Sequence, residues 1–155
     1  MTVEYISPIG KIYVTSDGEY LTEIEFFTSS HEVTNSSDNV TEETIRWLDL
    51  YFSGIAPDFT PKLKLSGSDF SRAVLSECAK LKYGEICTYG DIAKKIAAAF
   101  QKKPCARAVG GALNRNPVPI IIPCHRVIGK NNNMVGFAPG VETKIKLLEL
   151  EGYKK

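Results

Sequence analysis

Along residues 11–27, "KIYVTSDGEYLTEIEFF", apolar and polar side chains partly alternate, the two-residue period of a half-buried strand. Asp17-Gly18 interrupts the run, and an Asp-Gly pair between alternating segments signals a hairpin turn. The polar stretch "SSHEVTNSSDNVT" at 29–41 reads as a surface connection. In "TEETIRWLDLYFSG" the period becomes helical: Ile45, Leu48 and Phe52 share a face, Gly54 stops the helix and Pro57 follows. Residues 55–67 form an irregular linker. Beyond it, "SDFSRAVLSECAKL" places Phe70, Val74, Cys78 and Leu81 at helical spacing. "YGEICTYGDIAKKIAAAF" turns at Tyr83-Gly84, runs briefly extended, and begins another helix with Ile92, Ile96 and Phe100 inside; Thr88 and Asp91 suit a capping box at its start. After "QKK", Pro104 marks the first position of a further helix, which Asn116-Pro117 ends. Two short helices across a tight turn make a helix-turn-helix candidate.

Charge sharpens this division. The net charge is +1, but residues 1–61 carry 2 Lys/Arg against 11 Asp/Glu and residues 62–155 carry 17 against 7. A small acidic α/β part, residues 1–60, with an antiparallel sheet is therefore expected to support a mostly α-helical, basic domain spanning 65–155. A basic face of this kind suits a polyanion, although solvated lysines alone could also account for it. The chain's 155 residues suffice for a sizeable core. The amino terminus shows no signal-peptide pattern and no apolar run is long enough to span a membrane, so a cytoplasmic protein is expected. Cys78, Cys87, Cys105 and Cys124 form no C-x-x-C pair and only two histidines are present. Free thiols are expected, with no metal site.

The segment "NPVPIIIPCHRVIG", 116–129, sets Cys124 beside His125 after three prolines. A lone cysteine is often a small buried hydrophobe, the reading that fits Cys78 and Cys87. An adjoining imidazole and the charge of Arg126 instead favour a nucleophilic thiolate at Cys124. Neighbours on an extended chain point to opposite sides, so a turn or a bridging water is needed between thiol and imidazole. Glu151 is the candidate acceptor that would orient the imidazole, and Cys105, near a helix amino terminus, is the second choice of reactive thiol. In "PCARAVGGALNRN", Gly110 and Gly111 lie inside a helix, each costing about 1 kcal/mol relative to alanine. Either tight packing against a neighbouring helix or close approach to a nucleic-acid groove could compensate, and the expectation is that one glycine faces each way.

"RAVGGALNRNPVPIIIPCHRVIG" followed by "VGFAPGVETKIKLLELEG", with "FSRAVLSECAKLKYGEICTYGDIA" before them, resembles the O6-alkylguanine-DNA alkyltransferases over about residues 65–152. The first part matches more loosely, at "SPIGKIYV" and "LDLYFSG". The resemblance implies a ribonuclease H-like amino-terminal domain and a helix-turn-helix domain that repairs DNA directly. An alkyl group on O6 of guanine, and on O4 of thymine, would pass irreversibly to Cys124 after base flipping, once per molecule. It further implies that His125 is a water-linked base oriented by Glu151, that Asn116 braces the active-site segment, and that Tyr89 presses on a phosphate and hydrogen-bonds the base. Arg107 would be the finger filling the vacated stack, with Ala106, Gly110, Gly111 and Arg115 on the DNA side. Val127, Phe137 and Ala138 would line the base pocket. The expected partner is double-stranded DNA carrying O6-alkylguanine, bound by a monomer without metal, cofactor or membrane.

Pro139 and Ala138 depart from the family's pocket loop, and "AAFQKKP" enlarges the turn before the recognition helix. Three other readings stand beside this one: a binding-only alkylguanine sensor, which would lack the cysteine; a cysteine hydrolase using Cys124 and His125; and a helix-turn-helix regulator that depends on operator sequence.

Overall fold

The computed structural model describes residues 1–134 and 136–153. They form two compact units: Met1–Lys64 together with Pro117–Ile121, and Leu65–Asn116 together with Ile122 onward.

The first unit is built on a three-stranded antiparallel sheet in the order β1 (Thr2–Ser7), β2 (Gly10–Ser16), β3 (Leu21–Phe26). Asp17 makes the expected hairpin turn, its carboxylate accepting from the Glu19 and Tyr20 amides at 2.9 and 2.7 Å. The central strand β2 is buried from Ile12 through Ser16. Helix α1 (Asn39–Phe52) packs on the sheet. It starts inside the stretch expected to be a loop, because Asp38 and Thr41 form a reciprocal capping box. Its inner face is Thr44, Trp47, Leu48 and Tyr51, rotated from the expected Ile45–Leu48–Phe52 stripe; Ile45 and Phe52 are half-buried. The outer edge of β3 is covered by irregular chain. The Leu21 amide donates to Lys62 O at 2.7 Å and the Ile24 amide to Pro117 O at 2.8 Å. Val118, Ile120 and Ile121 are buried in this unit. Ile120 holds φ at +74°, an outlier for a β-branched residue that only its surroundings can impose.

In the second unit, helices α2 (Asp69–Ala79), α3 (Tyr89–Phe100) and α4 (Ala106–Asn114) pack against one another. Val74, Leu75, Cys78, Ile92, Val109 and Leu113 are central to their core. The Thr88–Asp91 capping box forms as the sequence predicts. Helix α4 begins at Ala106, two residues after Pro104, with Cys105 as its N-cap. A short parallel pairing joins β4 (Cys87–Thr88) to β5 (Val127–Ile128), and α5 (Val141–Leu150) closes the unit. Among the described residues no helix is long and apolar enough to cross a membrane.

Candidate active site

Cys124, His125 and Arg126 form a single 3-10 turn rather than an extended segment. The Cys124 amide donates to Ile122 O at 2.8 Å and the Arg126 amide to Pro123 O at 2.9 Å. All three side chains are buried. The turn leads directly into β5, whose pairing of Val127 with Cys87 and Ile128 with Thr88 brings in the first residue of α3, Tyr89. Asn116 and Ile122 flank the 117–121 segment, and Asn116 Nδ2 joins them by donating to Ile122 O at 2.8 Å.

Glu151, at the carboxyl end of α5, accepts three hydrogen bonds. Oε2 meets His125 Nε2 at 2.5 Å, while Oε1 accepts from Arg126 Nε at 2.7 Å and from the Gly84 amide at 3.0 Å. Against the cost of burial, the hydrogen bonds and charges of His125 and Arg126 hold its pKa down at about 2. With the Nε2 proton facing a carboxylate, a neutral His125 ring carries its lone pair on Nδ1. Burial, together with the charges of Arg126 and Lys144, depresses the His125 pKa against the pull of Glu151. The Phe137 ring meets His125 edge-on, with centroids 6.4 Å apart.

Burial pushes the Cys124 thiol up to about 11. Opposing it are a hydrogen bond from the Asn116 side chain, the charge of Lys144, and main-chain hydrogen bonds from Cys124 and His125. Cys124 is thus a thiol shielded from water whose anionic form is nevertheless provided for. Lys144 Nζ, fully buried, donates to Val127 O at 2.6 Å and reaches Tyr89 Oη at 3.4 Å. Burial lowers its pKa to about 8 and raises that of Tyr89 to about 12, so Tyr89 keeps its phenolic proton at neutral pH.

Tyr89 also borders a shallow concavity of about 500 Å³ lined by Ala106, Arg107, Gly110, Gly111, Asn114 and Gly136. Gly136 is required there: its φ is +84°, and a Cβ would stand 2.7 Å from Tyr89 Oη. The α4 glycines differ from expectation. A Cβ on Gly110 would meet only the Tyr89 ring at 3.9 Å, and one on Gly111 only the Arg115 guanidinium at 3.6 Å. Neither sits in a close helix–helix contact, so tight packing does not explain them.

Comparison with known proteins matches residues 69–153 to the DNA binding domain of 6-O-methylguanine DNA methyltransferase and residues 4–65 to its ribonuclease-like domain. The chain belongs to the 6-O-methylguanine DNA methyltransferase family. A methylated-DNA–protein-cysteine methyltransferase of Methanosarcina acetivorans is 41% identical over 151 residues, covering 94% of each chain. One from Mycobacterium leprae is 36% identical, covering 96% of this chain and 90% of the relative. The crystal structure of Mycobacterium tuberculosis OGT in complex with DNA superposes with a TM-score of 0.84 at 36% identity, over 97% of this chain and 91% of that one.

Within this methyltransferase scaffold, the second unit brings Cys124, His125, Glu151, Asn116, Tyr89, Val127 and Phe137 together. Arg107, Ala106, Gly110 and Gly111 share the concavity with Tyr89. Arg115, the exposed C-cap of α4, does not line that concavity, but its guanidinium lies beside Gly111, which does; Ala138 is exposed. Sequence reasoning passed over Lys144, Gly136 and Gly84. Lys144 did carry a signal: it lies on one helical stripe with Leu147, Leu148 and Glu151, where a charged residue among apolar ones calls for a buried partner.

Proposed function

We propose that this protein restores O6-alkylated guanine in double-stranded DNA by moving the alkyl carbon onto Cys124 Sγ. The observation that carries this reading is the buried thiol set in one turn with an imidazole that is itself fixed by a buried carboxylate. His125 Nδ1 takes the thiol proton through a water, the thiolate attacks the alkyl carbon, and the carbon–oxygen bond breaks with its electron pair passing to O6. The departing guanine anion is met by the Tyr89 hydroxyl. A thioether remains, and no group in the chain can reverse it, so each molecule acts once.

Cys124 lies too deep for a stacked base to reach, so the damaged nucleotide is turned out of the helix into the space bordered by Val127, Phe137 and Ala138. Arg107, exposed on the outer face of α4 beside the concavity, fills the vacated stack. Ala106 and the two glycines, bare on that face, permit close approach to the groove, and Arg115 contacts phosphate. In this reading the first sixty residues support the domain spanning 65–155, and the protein works as a monomer in the cytoplasm. O4-alkylthymine, which presents the same exocyclic alkoxy group, is a second substrate.

Intact-mass measurement after incubation with an O6-methylguanine duplex tests the reading. One methyl group per protein is expected, located on the Cys124 peptide, with none in Cys124→Ser although that variant still binds the lesion. A methyl group on Cys105, or product formed beyond one equivalent, would sink it.

A further inference from the structure

The alkyl-transfer reading gives Glu151 one task, orienting His125, yet its carboxylate is shared. Arg126 Nε lies 2.7 Å from Oε1 while His125 Nε2 lies 2.5 Å from Oε2. The guanidinium is committed on its other side too: a terminal nitrogen donates to Leu81 O at 2.7 Å, and its plane lies 5.9 Å from the Tyr83 ring centroid. The side chains of Arg126, Glu151 and His125 are 8%, 1% and 0% exposed.

Counting charges shows what this sharing does. A carboxylate alone at 2.5 Å from a buried imidazole favours the imidazolium, which cannot accept the thiol proton. With Arg126 on the same carboxylate, the trio is neutral only when His125 is neutral. Protonating the ring from solvent would bring a net positive charge into an interior that already holds Lys144. Proton transfer from Cys124 is different, because the thiolate forms as the imidazolium does and the buried cluster keeps its net charge. Such an arrangement resists protonation by water and permits protonation by the thiol.

Resting on the alkyl-transfer reading, we propose that Arg126 is a positioning residue for the reaction. By holding Glu151 Oε1 while Oε2 holds His125, it keeps the imidazole neutral at working pH and turned to receive the thiol proton. The charged groups acting on the ring are Glu151 and Lys144 from α5 and Arg126 from its own turn, in which Cys124 adjoins it. Tyr83 faces the Glu151–Arg126 pair, and Cys124 couples to Tyr89 of α3 and Cys78 of α2. Apart from Glu151, which Arg126 occupies, the fixed charges acting on the ring are positive and favour its neutral form.

The test is the pH dependence of single-turnover methyl transfer from an O6-methylguanine duplex at saturating protein, for wild type, Arg126→Lys and Arg126→Gln. Folded fractions are set beforehand by circular dichroism. Removing the charge frees Glu151 to draw a proton onto His125, so the acid limb in Arg126→Gln should move up by about one pH unit, a roughly tenfold loss of rate below it. Lysine keeps the charge but cannot span Glu151 and Leu81 as the guanidinium fork does, and its limb should fall between the two. An Arg126→Gln limb superposed on wild type, however slow the reaction, would reduce Arg126 to an anchor for the Leu81–Gly84 turn and overturn the proposal. If Arg126→Gln does not fold, Arg126→Lys decides by the same criterion. Failure of the alkyl-transfer reading itself shows separately, as wild-type protein that gains no methyl group.

Discussion

Lys144 is a cation placed where cations are costly, and its charge acts on a thiol that the proposed reaction turns into an anion. Its hydrogen bond to Val127 O fixes the strand leaving the active turn, and its charge is one of the influences that lower the Cys124 pKa. Lys144→Met keeps most of the stem. It removes an ammonium that burial disfavours and strands a carbonyl whose lost partner costs about 1–3 kcal/mol, so the two effects largely offset in stability. The thiolate has no such offset, and methyl transfer at neutral pH should fall about tenfold, the equivalent of one pKa unit. Rapid-quench measurement of transfer beside a thermal melt checks this; an unchanged rate would leave Lys144 a core residue only. Residues of this kind set the limit of the sequence reading. Cys124 beside His125 was legible as a candidate pair from residue type and order, and the fold brings Glu151 to the imidazole as the family resemblance implied. Arg126 was read as nearby charge and Lys144 not at all, since which carboxylate or carbonyl a cation meets depends on contacts across 17 or 25 residues of chain.

Among the elements, α4 is the one whose composition conflicts with its own stability. Two glycines in nine residues weaken it, and neither makes a contact too close for a Cβ: Gly110 faces the Tyr89 ring at 3.9 Å and Gly111 the Arg115 guanidinium at 3.6 Å. Alanine fits at both positions without a close contact, so Gly110→Ala and Gly111→Ala should each raise stability by up to about 1 kcal/mol. Leucine at either position should leave the melting temperature nearly unchanged and lower affinity for a DNA duplex, as measured by fluorescence anisotropy. A lowered melting temperature with intact affinity would return the glycines to a packing role. Helix α1 shows why a face can be misread. Thr41 and Thr44 look polar in the sequence but are fully buried, the one in a capping box and the other donating to Val40 O at 2.8 Å. A hydroxyl that bonds back into its own helix no longer needs water, and the buried stripe rotates to include it.

For the molecule as a whole, the buried ionisable groups set the acid limit of stability. Burial holds His125 below its ordinary 6.5, so the unfolded chain binds that proton first and stability falls as pH drops through 6.5. Glu151, lowered from 4.5 to about 2, adds stability that is complete above 4.5 and is lost between 4.5 and about 2. Urea unfolding followed from pH 7.5 downward should show a decline beginning near pH 6.5 and steepening below 4.5. In Glu151→Gln the second step should shrink and begin at lower pH, leaving the part carried by Asp38, Asp91 and Asp17, which are also held below their ordinary range; an unchanged step would remove Glu151 from the acid limit. The change of charge sign near residue 61 was legible in the sequence, and the first compact unit's main stretch ends close by, at Lys64. The path of residues 117–121 was not, since an apolar run between prolines suits a strand of either unit. That path matters beyond the fold. The five residues belong to the first unit although they lie between Asn116 and Ile122 of the second, and Ile24 pairs with Pro117. What reads as two modules in series is therefore interleaved along the chain. A recombination event that carried only the carboxyl-terminal part to a new partner would deliver Cys124 three residues from a hydrophobic ribbon that had lost its mates.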